Sequence, residues 1–323
     1  MSDFVLFENR DLLPAAWRPL GEGALRAFNP GILREGDGWI LAYRVVGETD
    51  TRRRIAICRL DREFRIVPDS ASPLTDHIRF RPKQDYSAEA FTWFADPRLY
   101  RLAGRLFIYW NSGWHEPQNH QFLQELDARS LQPIGHPREY KIEGDRRKLE
   151  KNWCLFGEGP FHAVYCVAPH RVLSFSLAGE GPIVFRDEAL IENPGAARAH
   201  GGLRGGAPPQ RRGDHYYSFC HTIHDAPGGY RYAASAYRFA VQAPFGPTDL
   251  PHSAVPLPNP LGATRAHPKL NGAVSEVIYP AGAAAQGDDW VISYGINDER
   301  CAIAVLGDAQ VLATLQPAAS FVS

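Results

Sequence analysis

The sequence predicts an all-β fold, a five-bladed β-propeller with a central substrate cavity. Three observations lead there. Short aromatic-aliphatic runs are broken by frequent Gly and Pro. Hardly any window has a helical period, apart from pieces such as QFLQELDA near Gln121–Ala128. One strand pattern recurs five times along the chain. A β-sandwich or a two-domain all-β protein is the competing reading of the same strands.

Each recurrence begins with a Gly- or Pro-marked segment, passes a polar turn, enters an aromatic-aliphatic strand and adds one or two strands more. The first runs FNPGILREGDGWILAYRV and RRIAICRLDREFRIV; the second ADPRLYRLAGRLFIYWN and QFLQELDARSLQPI. The third is KNWCLFGEGPFHAVYCVAPHRVLSFSL, and the fourth GGAPPQRRGDHYYSFCHTIH with YRYAASAYRFAV. The fifth is SEVIYPAGAAAQGDDWVISYGIND with CAIAVLGDAQVLATL. The interval is roughly 55–75 residues, longer than the ~40–50 of familiar propeller repeats. Four short strands per unit suit a propeller blade. The expected blades fall at approximately 28–75, 90–140, 150–190, 203–255 and 273–317 of one domain, 1–323.

Composition narrows the function. The 323 residues are 44% hydrophobic and 22% charged, with a formal net charge of −1, which gives no overall attraction to a polyanion. Arg52–Arg54 read as a hairpin tip. Neither nucleic acid nor a membrane surface is expected as a partner. Cys58, Cys154, Cys166, Cys220 and Cys301 lack CxxC spacing, so buried free thiols are expected, with no metal site. The N-terminus has no basic start or long apolar core, and a cytoplasmic location is the expectation.

Inner strands of blades converge on one axis, so the polar residues opening each unit, Asn29, Asp96 with Arg98, Lys151 with Asn152, Arg204 and Glu276, are expected to share a cavity. Asp96 follows Trp93 and Phe94, and an apolar setting raises a carboxyl pKa by desolvation, which suits a general acid. The same Asp-Pro pair also reads as a turn. Arg98, two residues on, is expected on the same strand face, where it holds the acid's orientation or binds an anionic group of the substrate. Glu150, Lys151, Asn152 and Trp153 combine charge, amide and indole, the mixture a sugar site uses, or they form a solvated turn with a core Trp. The glycines beside Arg204 permit close approach of a ligand or simply make a turn. His221 and His224 are three apart on a strand and face opposite ways, which argues against paired metal ligands and leaves His221 inward. Asp298 and Glu299 follow a strand and could contact hydroxyls. No GxGxxG, P-loop, GxSxG or HExxH motif is present.

The ordered set FNPG, YRV, DPR, KNW, a GG-PP segment, YPAG and YGIND, from about Phe28 to Leu306, resembles glycoside hydrolase family 130, the β-mannoside phosphorylases and hydrolases. The resemblance implies a central sugar site with Asp96 as general acid, delivering its proton through a substrate hydroxyl while phosphate attacks with inversion. It implies substrate-binding roles for Asn29, Arg44, Lys151, Asn152, Arg204, His221 and Asp298. It implies no cofactor beyond inorganic phosphate as co-substrate, and an oligosaccharide or glycoside as substrate. Where the family carries phosphate-binding arginines after the second-unit strand, IYWNSGWHEPQNHQ has Asn111, His115, Asn119 and Gln121 but no arginine. Hydrolysis then requires a second carboxylate some ~6.5–9.5 Å from the acid, for which Glu276 and Glu150 are the candidates. Sugar transfer by a propeller of the same type and non-catalytic glycan binding are the alternatives. The Pro-rich segment LPNPLGATRAHPKLNG offers Arg265, His267 and Lys269 as an outlying anion site.

Overall fold

Pro and Gly interrupt the chain so often that, among the described residues, helix is confined to pieces of six residues or fewer, such as Asn9–Leu12, Ala15–Leu20 and Asp308–Leu312. The computed structural model describes residues 3–50, 52–82, 86–113, 118–144, 146–192, 202–227 and 229–321. His115 lies outside them.

After a short strand β1 (Phe4–Leu6), five antiparallel meanders come in chain order. The first is β2 (Leu25–Glu35), β3 (Gly38–Gly47) and β4 (Arg53–Leu60). The second is β5 (Ala95–Leu102), β6 (Arg105–Asn111), β7 (Gln121–Leu126) and β8 (Pro133–Ile142). The third is β9 (Cys154–Phe156), β10 (Phe161–Cys166), β11 (His170–Phe175) and β12 (Ile183–Ile191). The fourth is β13 (Gln210–Arg212), β14 (His215–Ala226), β15 (Gly229–Ala240) and β16 (Pro247–Pro251), and the fifth β17 (Val274–Gln286), β18 (Asp289–Ile296) and β19 (Arg300–Gly307). β1 supplies the outer strand of the fifth, pairing Val5 with Ile303, and β20 (Leu315–Pro317) caps β16. Parallel pairings β8–β12 and β15–β17 join neighbouring meanders, so the described strands group into sheets of nine, eight and three.

The apolar faces pack between consecutive meanders. Ile40, Ile57, Trp110 and Phe122 join the first to the second, and Tyr109, Trp153 and Leu173 the second to the third. Phe156, Val172 and Tyr237 join the third to the fourth, and Phe219, Trp290 and Ile292 the fourth to the fifth. Leu41, Tyr43, Val291 and Ile303 then join the fifth back to the first, with Leu12, Leu13 and Trp17 of the N-terminal segment filling the same core. Each meander buries both faces by being sandwiched between two others, which explains near-continuous apolar runs in place of strict alternation.

The structure corrects the sequence reading of two segments. QFLQELDA, the best helix-like piece, is strand over Gln121–Leu126: Gln121 and Gln124 are buried, the first accepting from the Tyr109 hydroxyl (2.7 Å) and the second donating to the Ile134 carbonyl (2.7 Å). Pairing on both edges with β6 and β8 outweighs local helix propensity. Arg52–Arg54 is not wholly a tip, because Arg53 opens β4 and packs its guanidinium 4.8 Å from the centroid of the Trp93 ring.

Candidate active site

Proline has no N–H to give a strand ladder, so an X-Pro inside a strand forces a bulge. The register slips at Asn29-Pro30 in β2 and at Asp96-Pro97 in β5, and directly after Pro280 in β17. Asn29 (φ 52°), Asp96 (φ 53°) and Asn152 (φ 65°) sit in the left-handed region, as do Asn297 (φ 57°) and Asp298 (φ 58°) after β18. Asn and Asp tolerate that conformation better than other non-glycine residues. The recurring Asn/Asp in the motifs is thus a backbone requirement as well as a chemical one.

These bulges and turns line a cavity of about 250 Å³ with Arg44, Lys151, Arg204 and His221. Arg53, Trp93, Asn111, Tyr232, Leu270, Asn271 and Tyr279 complete most of its wall. Asp96 Oδ1 accepts from Asn29 Nδ2 at 2.9 Å and faces Arg44 Nη1 at 3.5 Å, with 16% of its side chain exposed. Asn111 Nδ2 donates to the Ala95 carbonyl (3.3 Å), fixing the strand beside it. Asn297 ties the last turn down, donating to the Gly262 carbonyl (2.9 Å) and accepting from the Val277 N–H (3.0 Å).

Four cations, Arg44, Arg53, Lys151 and Arg204, share the wall with two carboxylates, Asp96 and Asp298. Burial pushes Asp96 up, but Arg44, the Asn29 hydrogen bond, Lys151 and Arg98 together hold it below the usual carboxylate range. This reverses the expected direction: desolvation is present and cations outweigh it. Burial pushes Asp298 up, and the charge of Asp96 adds to that against Arg44. Burial, with Arg204 and Lys151, pushes His221 down to about 3, so it is neutral at pH 7.

These shifts make stability depend on pH. Burial also pushes His170 down to about 4, whereas an unfolded His titrates near ~6.5. Between about pH 6 and 4 these two histidines therefore bind up to two more protons in the unfolded chain than in the fold, and acid destabilises; His162, lowered by burial, acts with the same sign. Asp298, raised in the fold, has the opposite sign and offsets part of this. Urea unfolding at pH 7, 6, 5 and 4.5 is expected to show stability falling by about 1.4–2.7 kcal/mol per pH unit below pH 6. A flat profile from pH 7 to 5 refutes the neutral burial of both histidines.

Several expected site residues sit elsewhere. Arg98 is 0% exposed and lies behind the wall. It donates to the Gly206 carbonyl, to Asn152 Oδ1 (3.3 Å) and to the Tyr279 oxygen (3.1 Å), while Tyr279 donates to the same Asn152 Oδ1 at 3.0 Å. The slip at Asp96-Pro97 breaks strict alternation, so Asp96 and Arg98 do not share a face. Trp153 is core, stacked on Tyr140, and lines a neighbouring cavity rather than the first. Glu276 does not line the cavity: it accepts from Asn259 Nδ2. Glu150 is buried, accepting from Tyr165 (2.9 Å), Trp153 (3.2 Å) and the Arg147 N–H (2.7 Å), and does not line it either. Neither expected base faces Asp96.

Gly205 and Gly206 serve backbone packing rather than ligand approach. A Cβ would lie 2.2 Å from the Asn152 carbonyl at the first and 2.6 Å from that of Phe219 at the second. In the Pro-rich segment, Arg265 donates to backbone carbonyls of Asn297 and Ser275, and His267 pairs with Glu48 at 2.6 Å. They fasten the segment, which gives Leu270 and Asn271 to the wall. Asn119 and Gln121 are tied into structural hydrogen bonds, the first reciprocally with the Glu150 backbone. The reading of the sequence missed Arg53, Trp93, Tyr232 and Tyr279. Trp93 had a signal, lying three residues before Asp96, and Arg53 was hidden in a charge run. Among the described residues no cluster of His, Cys, Asp or Glu could hold a metal, and the five cysteines are free.

No family model and no curated protein matches the chain by sequence. Solved structures do match by shape. The β-1,2-mannobiose phosphorylase of Listeria innocua, in complex with β-1,2-mannobiose, superposes with a TM-score of 0.61 at 17% identity over 97% of this chain and 99% of that one. A candidate glycosidase from Bacteroides thetaiotaomicron gives 0.64 at 14% over 93% of both. A family 130 protein, described in connection with hydrolases of β-1,2-mannosidic linkages in Candida mannan, gives 0.59 at 12% over 88% and 85%. The chain shares the fold of these proteins, and the solved structures with that fold include mannoside phosphorylases of glycoside hydrolase family 130.

Proposed function

We propose that the five meanders are the blades of a five-bladed β-propeller whose cavity makes or breaks a glycosidic bond, most specifically that of a β-mannoside, by phosphorolysis with inversion. The observation that carries this reading is the convergence of Asn29, Arg44, Asp96, Lys151, Asn152, Arg204, His221 and Asp298 on one cavity of about 250 Å³. These residues come from all five meanders or the segments leading into and out of them. The shared fold with mannoside phosphorylases supports it.

The charge balance favours an anionic nucleophile over water. The carboxylates on the wall are Asp96 and Asp298, and four cations stand with them. Phosphate beside Arg44 and Arg53 would offset the Arg44 charge, the strongest of those that hold Asp96 ionised, and its own negative charge would add to burial in raising the acid. The acid would thus be loaded by the arrival of its co-substrate. Asp96 then gives its proton to the glycosidic oxygen, through a substrate hydroxyl, as the C1–O bond breaks. A phosphate oxygen forms the new bond to C1 from the opposite face. Neutral His221 and the amides of Asn29 and Asn152 are suited to hydroxyl groups. No cofactor other than phosphate is called for.

A panel of manno- and gluco-oligosaccharides, with and without phosphate and with sugar nucleotides, tests the reading. Sugar 1-phosphate formed only when phosphate is present is the expected result. Free sugar formed in water alone points to hydrolysis, product only from a sugar nucleotide to transfer, and binding without any product to a glycan-binding propeller.

A further inference from the structure

A second cavity, of about 340 Å³, has Leu149, Lys151, Asn152 and Arg204 in common with the first, so one chain segment and one arginine wall both. Its remaining wall includes Arg147 and Tyr165, with the Arg147 guanidinium 5.4 Å from the centroid of the tyrosine ring. Arg147, Lys151 and Arg204 form no ion pair among the described residues. The one acid of this wall among the described residues, Glu150, has its oxygens taken by the Arg147 N–H, the Tyr165 hydroxyl and the Trp153 indole. Even counting it, three cations face one carboxylate.

A departing sugar needs room beside the bond that is cut, which this adjoining cavity offers, and a neutral sugar would leave its cations uncompensated. An anionic group gives them charge-assisted hydrogen bonds, the stronger kind. Arg44 and Arg53 remain in the first cavity for the attacking anion. We infer that the second cavity binds the leaving-group sugar and selects one that carries an anion, a phosphate ester or a carboxylate on the pyranose, held by Arg147 and Arg204. The anion takes no part in bond making: the departing oxygen receives the proton from Asp96 and the charged group only anchors the ring. This inference rests on reading the first cavity as a glycoside site.

Calorimetric titration of the full chain with mannose 6-phosphate, glucose 6-phosphate and glucuronate, against mannose, glucose and inorganic phosphate, tests it. The charged sugars are expected to bind at least about tenfold tighter than the neutral ones, the worth of one charge-assisted hydrogen bond. Saturating phosphate is expected to leave that preference standing. Arg147→Gln is expected to erase most of the preference, and Arg147→Lys to keep part of it. Three results overturn the inference alone, with neutral sugar and phosphate both bound: equal affinity for charged and neutral sugars, a preference untouched in Arg147→Gln, or full competition by inorganic phosphate, which would assign the cations to the co-substrate. Absence of binding by every sugar overturns this inference together with the glycoside reading.

Discussion

Asp96→Asn is expected to lower turnover of any glycoside the protein cleaves by about 10²–10⁴-fold, the usual worth of a positioned general acid. The variant isolates the proton. Asparagine tolerates the left-handed backbone at this position (φ 53°), and its amide oxygen can still accept from Asn29 Nδ2, now at 2.9 Å. It also removes a negative charge from a wall of cations, so phosphate binding is expected to persist. Initial rates of sugar 1-phosphate release, with thermal unfolding as a check of the fold, make the measurement. Full activity in a folded variant would remove Asp96 from the mechanism.

Arg98→Met is expected to destabilise the protein by about 3–5 kcal/mol, a large part of the stability of an ordinary domain. The guanidinium is 0% exposed and is spent on the Gly206 carbonyl, Asn152 Oδ1 and the Tyr279 oxygen. It thereby ties the second meander to the segments that open the third, the fourth and the fifth. Methionine fills the space but removes all three charge-assisted hydrogen bonds, while Asn152 Oδ1 keeps another donor, the Tyr279 hydroxyl. Arg98→Lys is expected to recover little, since a single ammonium cannot reproduce the planar fork. Urea unfolding provides the test: a loss below about 1 kcal/mol would show that the three acceptors find other partners. The role is positional, because Asn152 and Tyr279 face the cavity and Arg98 does not.

Repetition made the strands legible. Five copies of one pattern anticipated the five meanders, and the polar residue at each opening pointed to Asn29, Asp96, Asn152 and Arg204, all of which line the cavity. The fifth opening failed at Glu276, because the wall there is built by Tyr279, just ahead of the bulge in β17, and by Asp298 after β18. Period-two reasoning also failed at Arg98, since a bulge shifts the register by one residue and reverses the face of every later residue in the strand. β1 closing the fifth meander was not legible, for three residues such as Phe4–Leu6 have no periodicity to read.

By itself the sequence determined the mostly-β class and the recurrence of one strand pattern, because these arise from local propensity and from repetition along the chain. Only the tertiary structure decided which charges face one another. Asp96 was expected to be raised by its aromatic neighbours. It is instead held low by Arg44 from the first meander and Lys151 from the start of the third, cations far from it in the chain and brought close by folding. Apolar neighbours along the chain signal that a residue will be buried, which is why desolvation could be anticipated. Coulombic interaction depends on distance in space, and no spacing along the sequence contains that distance.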